Sequence, residues 1–169
     1  MHALSLELIP VRREHKIAFQ KGVSSFREKI SLTVPPDWPQ FPEAFHISDA
    51  EVTENLVWPA FLFVCRSEAC LVGNGGFAGD LSSEGEVEIG YEIAPCYQNK
   101  GFATEAVRQM LRYAFACAEV SAVIAHTLAA ENASNAVLKK VGMTFSEELP
   151  NDEVGKVWRW RINRPAISL

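Results

Sequence analysis

Residues 87–107 read Val87-Glu88-Ile89-Gly90-Tyr91-Glu92-Ile93-Ala94-Pro95-Cys96-Tyr97-Gln98-Asn99-Lys100-Gly101-Phe102-Ala103-Thr104-Glu105-Ala106-Val107, and their pattern changes once. Up to Ile93 apolar and polar side chains alternate, the period of a half-buried strand. From Ala103 onward the small and apolar residues Ala103, Ala106, Val107, Met110, Leu111 and Ala114 recur at the spacing of one helix face. The turn between the two carries Gln98-Asn99-Lys100-Gly101-Phe102-Ala103. Gly101 has no Cβ, so the backbone can turn there and approach a ligand closely. Ala103 is too small to block that approach, and the helix that follows opens with unpaired N–H groups and the positive end of its dipole. With Lys100 and the Thr104 hydroxyl these groups form an anion-binding nest suited to a diphosphate. Neither GxGxxG nor GxxxxGK[ST] occurs, so this is neither a dinucleotide fingerprint nor a P-loop.

Outward from this stretch the chain reads as one α+β domain spanning residues 1–169. Before it, residues 3–9 alternate as a strand, and residues 13–31 carry helical spacings that fit one helix or two short ones. Pro35, Pro36, Pro39 and Pro42, interleaved with Trp38 and Phe41, exclude regular structure in the next segment. Ser48 and Glu51 stand in capping-box positions for a short helix over residues 48–56. Residues 20–58 are thus a helical, loop-rich insertion. Residues 61–65 form a strand, and residues 69–77 a second one that Gly73, Gly75 and Gly76 are expected to break. After the helix, a strand over 122–128, a helix over 132–141 and strands over 143–147 and 156–162 complete a mostly antiparallel sheet flanked by helices.

Composition excludes several classes. The 169 residues are 48% hydrophobic and 22% charged with a formal net charge of −5, so disorder, a collagen-like repeat and a coiled coil do not fit. The acidic balance gives no footprint for a nucleic-acid backbone. The N-terminal segment lacks the marks of a secretory signal and no run of 18 apolar residues occurs, which predicts a cytoplasmic protein without membrane spans. Cys65, Cys70, Cys96 and Cys117 form no CxxC or Cys/His pattern and read as reduced thiols, with no metal site. Cys96 beside the turn is the one with a functional alternative, as a ligand contact or nucleophile.

Residues 88–95, the turn 98–103, Thr104-Glu105-Ala106, and Asn132-Ala133-Ser134-Asn135-Ala136-Val137-Leu138-Lys139-Lys140-Val141-Gly142-Met143 occur in one order. Together they resemble the GNAT superfamily of acetyl-CoA-dependent N-acetyltransferases, and within it the ribosomal-protein alanine N-acetyltransferase type. The likeness covers roughly residues 60–147. It implies a six- to seven-stranded sheet in which the strand 87–93 splays from the strand 122–128 to admit pantetheine, with residues 86–143 as cofactor-binding core. Ile93 and Ala94 would offer backbone groups to the pantetheine, and Gln98, Asn99, Lys100, Gly101, Phe102, Ala103 and Thr104 would hold the pyrophosphate of acetyl-CoA, the co-substrate.

The resemblance also implies direct attack of a primary amine on the thioester. That step needs a base, for which Glu88 is the first choice and Glu86 and Glu92 the competitors, and an acid or dipole for the thiolate. Tyr91 is a candidate acid or cofactor neighbour, and the 89–91 backbone a source of N–H donors. The tyrosine that many members carry four residues before the helix-ending glycine is Leu138 here. Ser134 matches the serine that takes this role in the ribosomal-protein type. The cofactor-contacting asparagine falls on Glu131, with Asn132 one position later. The acceptor is a protein N-terminus or a small-molecule amine. Trp38, Phe41, Phe45 and Trp58 line an acceptor pocket or cover the sheet, and Glu43, Asp49, Glu51 and Glu54 favour a cationic acceptor if they face it. His15, His46 and His126 read as structural, His126 standing on the strand beside the cofactor gap. A non-catalytic acyl-CoA sensor is the alternative function, and a homodimer joined through residues 157–162 a possible assembly.

Overall fold

The structure is a computed structural model that describes residues 4–47 and 58–166. The short helix over 48–56, its Ser48 cap, and the acids Asp49, Glu51 and Glu54 lie outside the described residues. Seven strands form one sheet in the order β1-β2-β3-β4-β5-β7-β6. The strands are β1 (Leu6–Pro10), β2 (Ala60–Cys65), β3 (Cys70–Ala78), β4 (Glu86–Ile93), β5 (Ala122–Leu128), β6 (Thr144–Asn151) and β7 (Gly155–Asn163), and the helices are α1 (Arg13–Lys21), α2 (Val23–Ile30), α3 (Phe102–Phe115) and α4 (Ala133–Lys140). The chain gathers into two compact units, Met1–Gly76 with Tyr91–Ala103, and Phe77–Gly90 with Thr104–Leu169.

In the first unit β1 and β2 pair antiparallel from Leu6↔Cys65 to Pro10↔Phe61, and β2 pairs antiparallel with β3. Residues 13–31 make two helices, because Gly22 at φ 122° interrupts them. The glycines of β3 do not break the strand. A Cβ at Gly73 would stand 2.2 Å from the carbonyl oxygen of Glu92, so this glycine is what lets the backbone of β4 come close. Phe26, Trp38 and Phe45 are buried and pack as one aromatic cluster with Phe19, Phe26 stacked on Trp38 at 5.7 Å and Phe19 on Phe45 at 4.6 Å. The Trp38 indole N–H donates to Asn74 Oδ1 at 2.9 Å. Trp38 and Phe45 are therefore core, which decides for these two between the open alternatives of pocket lining and sheet cover. Phe41 is exposed and Trp58 half-buried.

In the second unit the first half of β4 runs parallel to β5, from Glu86↔Ala122 to Ile89↔Ala125, and β5 pairs antiparallel with β7 along its whole length. These registers sort the side chains by face. Val87, Ile89, Val123, Ala125 and Trp160 occupy the buried face. Glu86, Glu88, Ile124, His126, Arg159 and Arg161 share the other. β7 is bonded on both sides, by β5 and β6, so residues 157–162 have no edge to offer a second subunit, and the expected pairing through them is corrected. The edge strand is β6, whose bulge at Phe145/Glu147 and whose Glu147, Glu148 and Pro150 blunt it against further pairing.

Candidate functional site

The turn after β4 has the geometry its sequence calls for. A single 3₁₀ turn, Pro95–Tyr97, leads from β4, then Asn99 takes φ 62° and Gly101 φ 90° before α3 starts at Phe102. A Cβ on Gly101 would come within 3.1 Å of Leu4 Cδ1. Two left-handed residues in a tight run turn successive N–H groups toward one side, the arrangement of an anion nest. The N–H groups of Asn99, Lys100 and Gly101 have no acceptor among the described residues. The Gln98 amide donates to the Ile93 carbonyl at 3.0 Å, which ties the turn to the end of β4. The Lys100 ammonium lies 5.5 Å from the centre of the Tyr97 ring, and that ring packs edge-on against Phe102. These residues fit a diphosphate. The Ala94 N–H donates to Val72 and its carbonyl accepts from Tyr97, each at 2.8 Å, which leaves the carbonyl's second lone pair as the group it can offer.

Three glutamates on β4 were candidates for a base, and their surroundings differ. Glu92 is buried, and its carboxylate accepts the Gln40 N–H at 2.8 Å and the Phe41 N–H at 3.0 Å, anchoring the proline-rich segment. Burial pushes its pKa up, the two backbone N–H groups oppose this, and nearby Glu43 adds to the rise. A folded-state value above the unfolded one means that the folded chain holds the proton more tightly. Its stabilising contribution is thus complete below the ordinary carboxylate value and is lost as pH rises through the raised one. In urea unfolding, the wild type is therefore expected to gain stability relative to E92Q as pH falls from 7 to 4; a gap between them that ignores pH would contradict this.

Glu86 is held by two guanidinium groups, Arg159 at 2.7 Å and Arg161, and Arg159 also reaches Glu147 at 3.2 Å. Both oxygens of this carboxylate are thereby engaged. Among the described residues no arginine pairs with Glu88. Its Oε1 lies 2.7 Å from His126 Nδ1, and the two side chains are 35% and 29% exposed. On this face three carboxylates (Glu86, Glu88, Glu147) meet two guanidinium groups (Arg159, Arg161), which leaves one negative charge when His126 is neutral.

On α4 the N-cap is Asn132, whose Oδ1 accepts the Asn135 N–H at 3.0 Å. Ser134 is half-buried in the first turn, Tyr91 is half-buried on β4, and Leu138 is fully buried. The sequence reading missed Asn135. It is fully buried, donates to the Ala130 carbonyl at 2.6 Å and accepts from the Thr127 hydroxyl at 2.5 Å, and Thr127 in turn accepts the Trp160 indole N–H at 2.9 Å. This chain of bonds fixes the loop that leads from β5 into α4. Among the described residues no group of three or more His, Cys, Asp or Glu is placed to hold a metal ion, and no helix is long and apolar enough to cross a membrane.

The turn after β4 has the backbone of an anion nest, and β4 separately carries a carboxylate paired with a histidine. A family model for the Acetyltransferase (GNAT) domain matches residues 6–144, and the chain belongs to that family. An uncharacterized N-acetyltransferase of Bacillus subtilis, YnaD, is 37% identical over 83 residues, 49% of this chain and 48% of that protein. The chain spans about half the length of the curated relatives it matches or less. Among solved structures, ribosomal-protein-S5-alanine acetyltransferase of Vibrio fischeri superposes with a TM-score of 0.70 at 13% identity, covering 98% of this chain and 97% of that one. Spermidine N-acetyltransferase of Vibrio cholerae, in complex with CoA and spermine, gives a TM-score of 0.67 at 18% identity over 95% and 96%. Identities this low show a shared fold.

Proposed function

We propose that the protein is an acetyl-CoA-dependent N-acetyltransferase that moves an acetyl group directly to a primary amine. The observation that carries this reading is the turn 98–103, where two positive φ angles, free N–H groups and the start of α3 suit a diphosphate. Gln98, Asn99, Lys100, Gly101, Phe102 and Ala103 would hold the diphosphate of acetyl-CoA, Thr104 would add its hydroxyl, and Ile93 would face the pantetheine. Bound acetyl-CoA supplies an acetyl thioester, and the products are an amide and a free thiol. This chain's residues must remove a proton from the acceptor ammonium and return one to the thiol side. Glu88 belongs to the proton-accepting group, since Glu86 is locked by arginines and Glu92 by backbone N–H groups. Ser134 would serve the thiolate, and Tyr91 would line the acetyl site.

The surplus negative charge beside Glu88 favours a cationic amine, either a peptide N-terminus or a small polyamine. The names of the fold neighbours, which act on ribosomal protein S5 and on spermidine, support both choices. The expected result for E88Q is a loss in kcat of about tenfold with the Kd for acetyl-CoA unchanged. Steady-state rates and calorimetric titration check it, and wild-type turnover in E88Q would remove Glu88 from the mechanism.

A further inference from the structure

We propose that His126 is the proton acceptor of this site and that Glu88 acts through it as a positioning residue; the proposal rests on the transferase reading above. At 2.7 Å the atoms Glu88 Oε1 and His126 Nδ1 need a proton between them. An ionised carboxylate only accepts hydrogen bonds, so in the neutral imidazole the proton sits on Nδ1 and the lone pair on Nε2. Among the described residues Nε2 has no partner. The pair is therefore the base-and-orienter arrangement of a carboxylate that fixes an imidazole tautomer.

The registers explain how two residues 38 positions apart meet. Glu88 stands opposite Ile124 in the parallel ladder, and His126 is the next residue of β5 on the same face, just past the last registered pair, Ile89↔Ala125. On the other side His126 faces Arg159 in the register with β7. Arg159 is engaged by Glu86 and Glu147, and Arg161 by Glu86, so both neighbouring cations are neutralised and neither competes for Glu88. Glu88 and Glu86 on β4, Glu147 on β6 and Arg159 and Arg161 on β7 are thus joined in these ion pairs.

Chemically the step is a single proton transfer. An N–H bond of the acceptor ammonium breaks, its electron pair stays on nitrogen as the nucleophilic lone pair, and the proton forms a new bond to Nε2. The resulting imidazolium is stabilised by the Glu88 carboxylate. An imidazole ordinarily binds a proton about two pH units more tightly than a carboxylate does, so it lies closer to an ammonium and abstracts its proton with a smaller free-energy gap.

The test compares wild type, H126Q and E88Q, with spermidine and an alanine-initiated peptide as acceptors. The proposal expects H126Q to lose about a hundredfold in kcat near pH 7, more than E88Q, with acetyl-CoA binding kept and the remaining rate rising with pH as the free amine becomes abundant. Long-range ¹H–¹⁵N spectra of wild type at alkaline pH are expected to show the Nδ1–H tautomer of His126. An H126Q rate and pH profile like wild type, an E88Q loss larger than that of H126Q, or an Nε2–H tautomer would overturn the proposal while leaving the transferase reading in place. A wild type that fails to bind acetyl-CoA, or releases no thiol with either amine, would overturn the transferase reading itself and this proposal with it.

Discussion

Replacing Gly101 by glutamate is expected to weaken acetyl-CoA binding by at least about a hundredfold, the equivalent of about 2.7 kcal/mol. Three effects act in the same direction. The residue holds φ 90°, a conformation that a side chain with a Cβ rarely adopts. A Cβ at this position meets Leu4 Cδ1 at 3.1 Å, so the turn or Leu4 must shift. The new carboxylate also places negative charge where the nest concentrates positive potential for the diphosphate. Calorimetric titration measures the loss, and a thermal midpoint well above the titration temperature separates it from unfolding. Binding of wild-type strength in G101E would remove the turn from the cofactor site.

The second large effect concerns stability. Trp38→Ala is expected to destabilise the protein by about 3–5 kcal/mol, the usual range for deleting a buried large aromatic side chain. Trp38 is 7% exposed, contacts the rings of Phe19, Phe26 and Phe45 at 5.4–6.4 Å between centres, and satisfies Asn74. Truncation opens a cavity and leaves the buried Asn74 carbonyl without its donor, a cost that adds to the lost packing. Urea unfolding reads the difference. A loss under 1 kcal/mol would mean that the cluster tolerates the cavity by collapse, contrary to its dense packing.

The turn 98–103 was legible from sequence because its signal is local: a change of period, a glycine and a helix start within a dozen residues. The two-helix region before the proline-rich segment was legible as well, and Gly22 settled which alternative holds. Other features depend on registers that no local pattern carries. The glycines of β3 looked like breaks, yet Gly73 exists to admit the Glu92 carbonyl from another strand. Trp38 and Phe45 sit among prolines in a stretch without periodicity, so core and pocket wall could not be told apart until Phe19 and Phe26 were seen against them. Glu86, Glu88 and Glu92 are equivalent by alternation. What distinguishes them is the partners that β5, β7 and the proline-rich segment bring from 38 to 75 positions away. Asn135 resembled an ordinary polar residue of a helix, and only the placing of Thr127 and Trp160 shows it to be the buried tie between β5 and α4.

The measurement that reaches the central claim most directly is release of free CoA thiol from acetyl-CoA by the purified wild type, with and without a primary amine. Spermidine and an alanine-initiated peptide serve as the two acceptors. The account predicts saturable acetyl-CoA binding and thiol release that depends on one of these amines, with the acetylated amine recovered in equal amount. Absence of binding, or binding with no amine-dependent release, would contradict it.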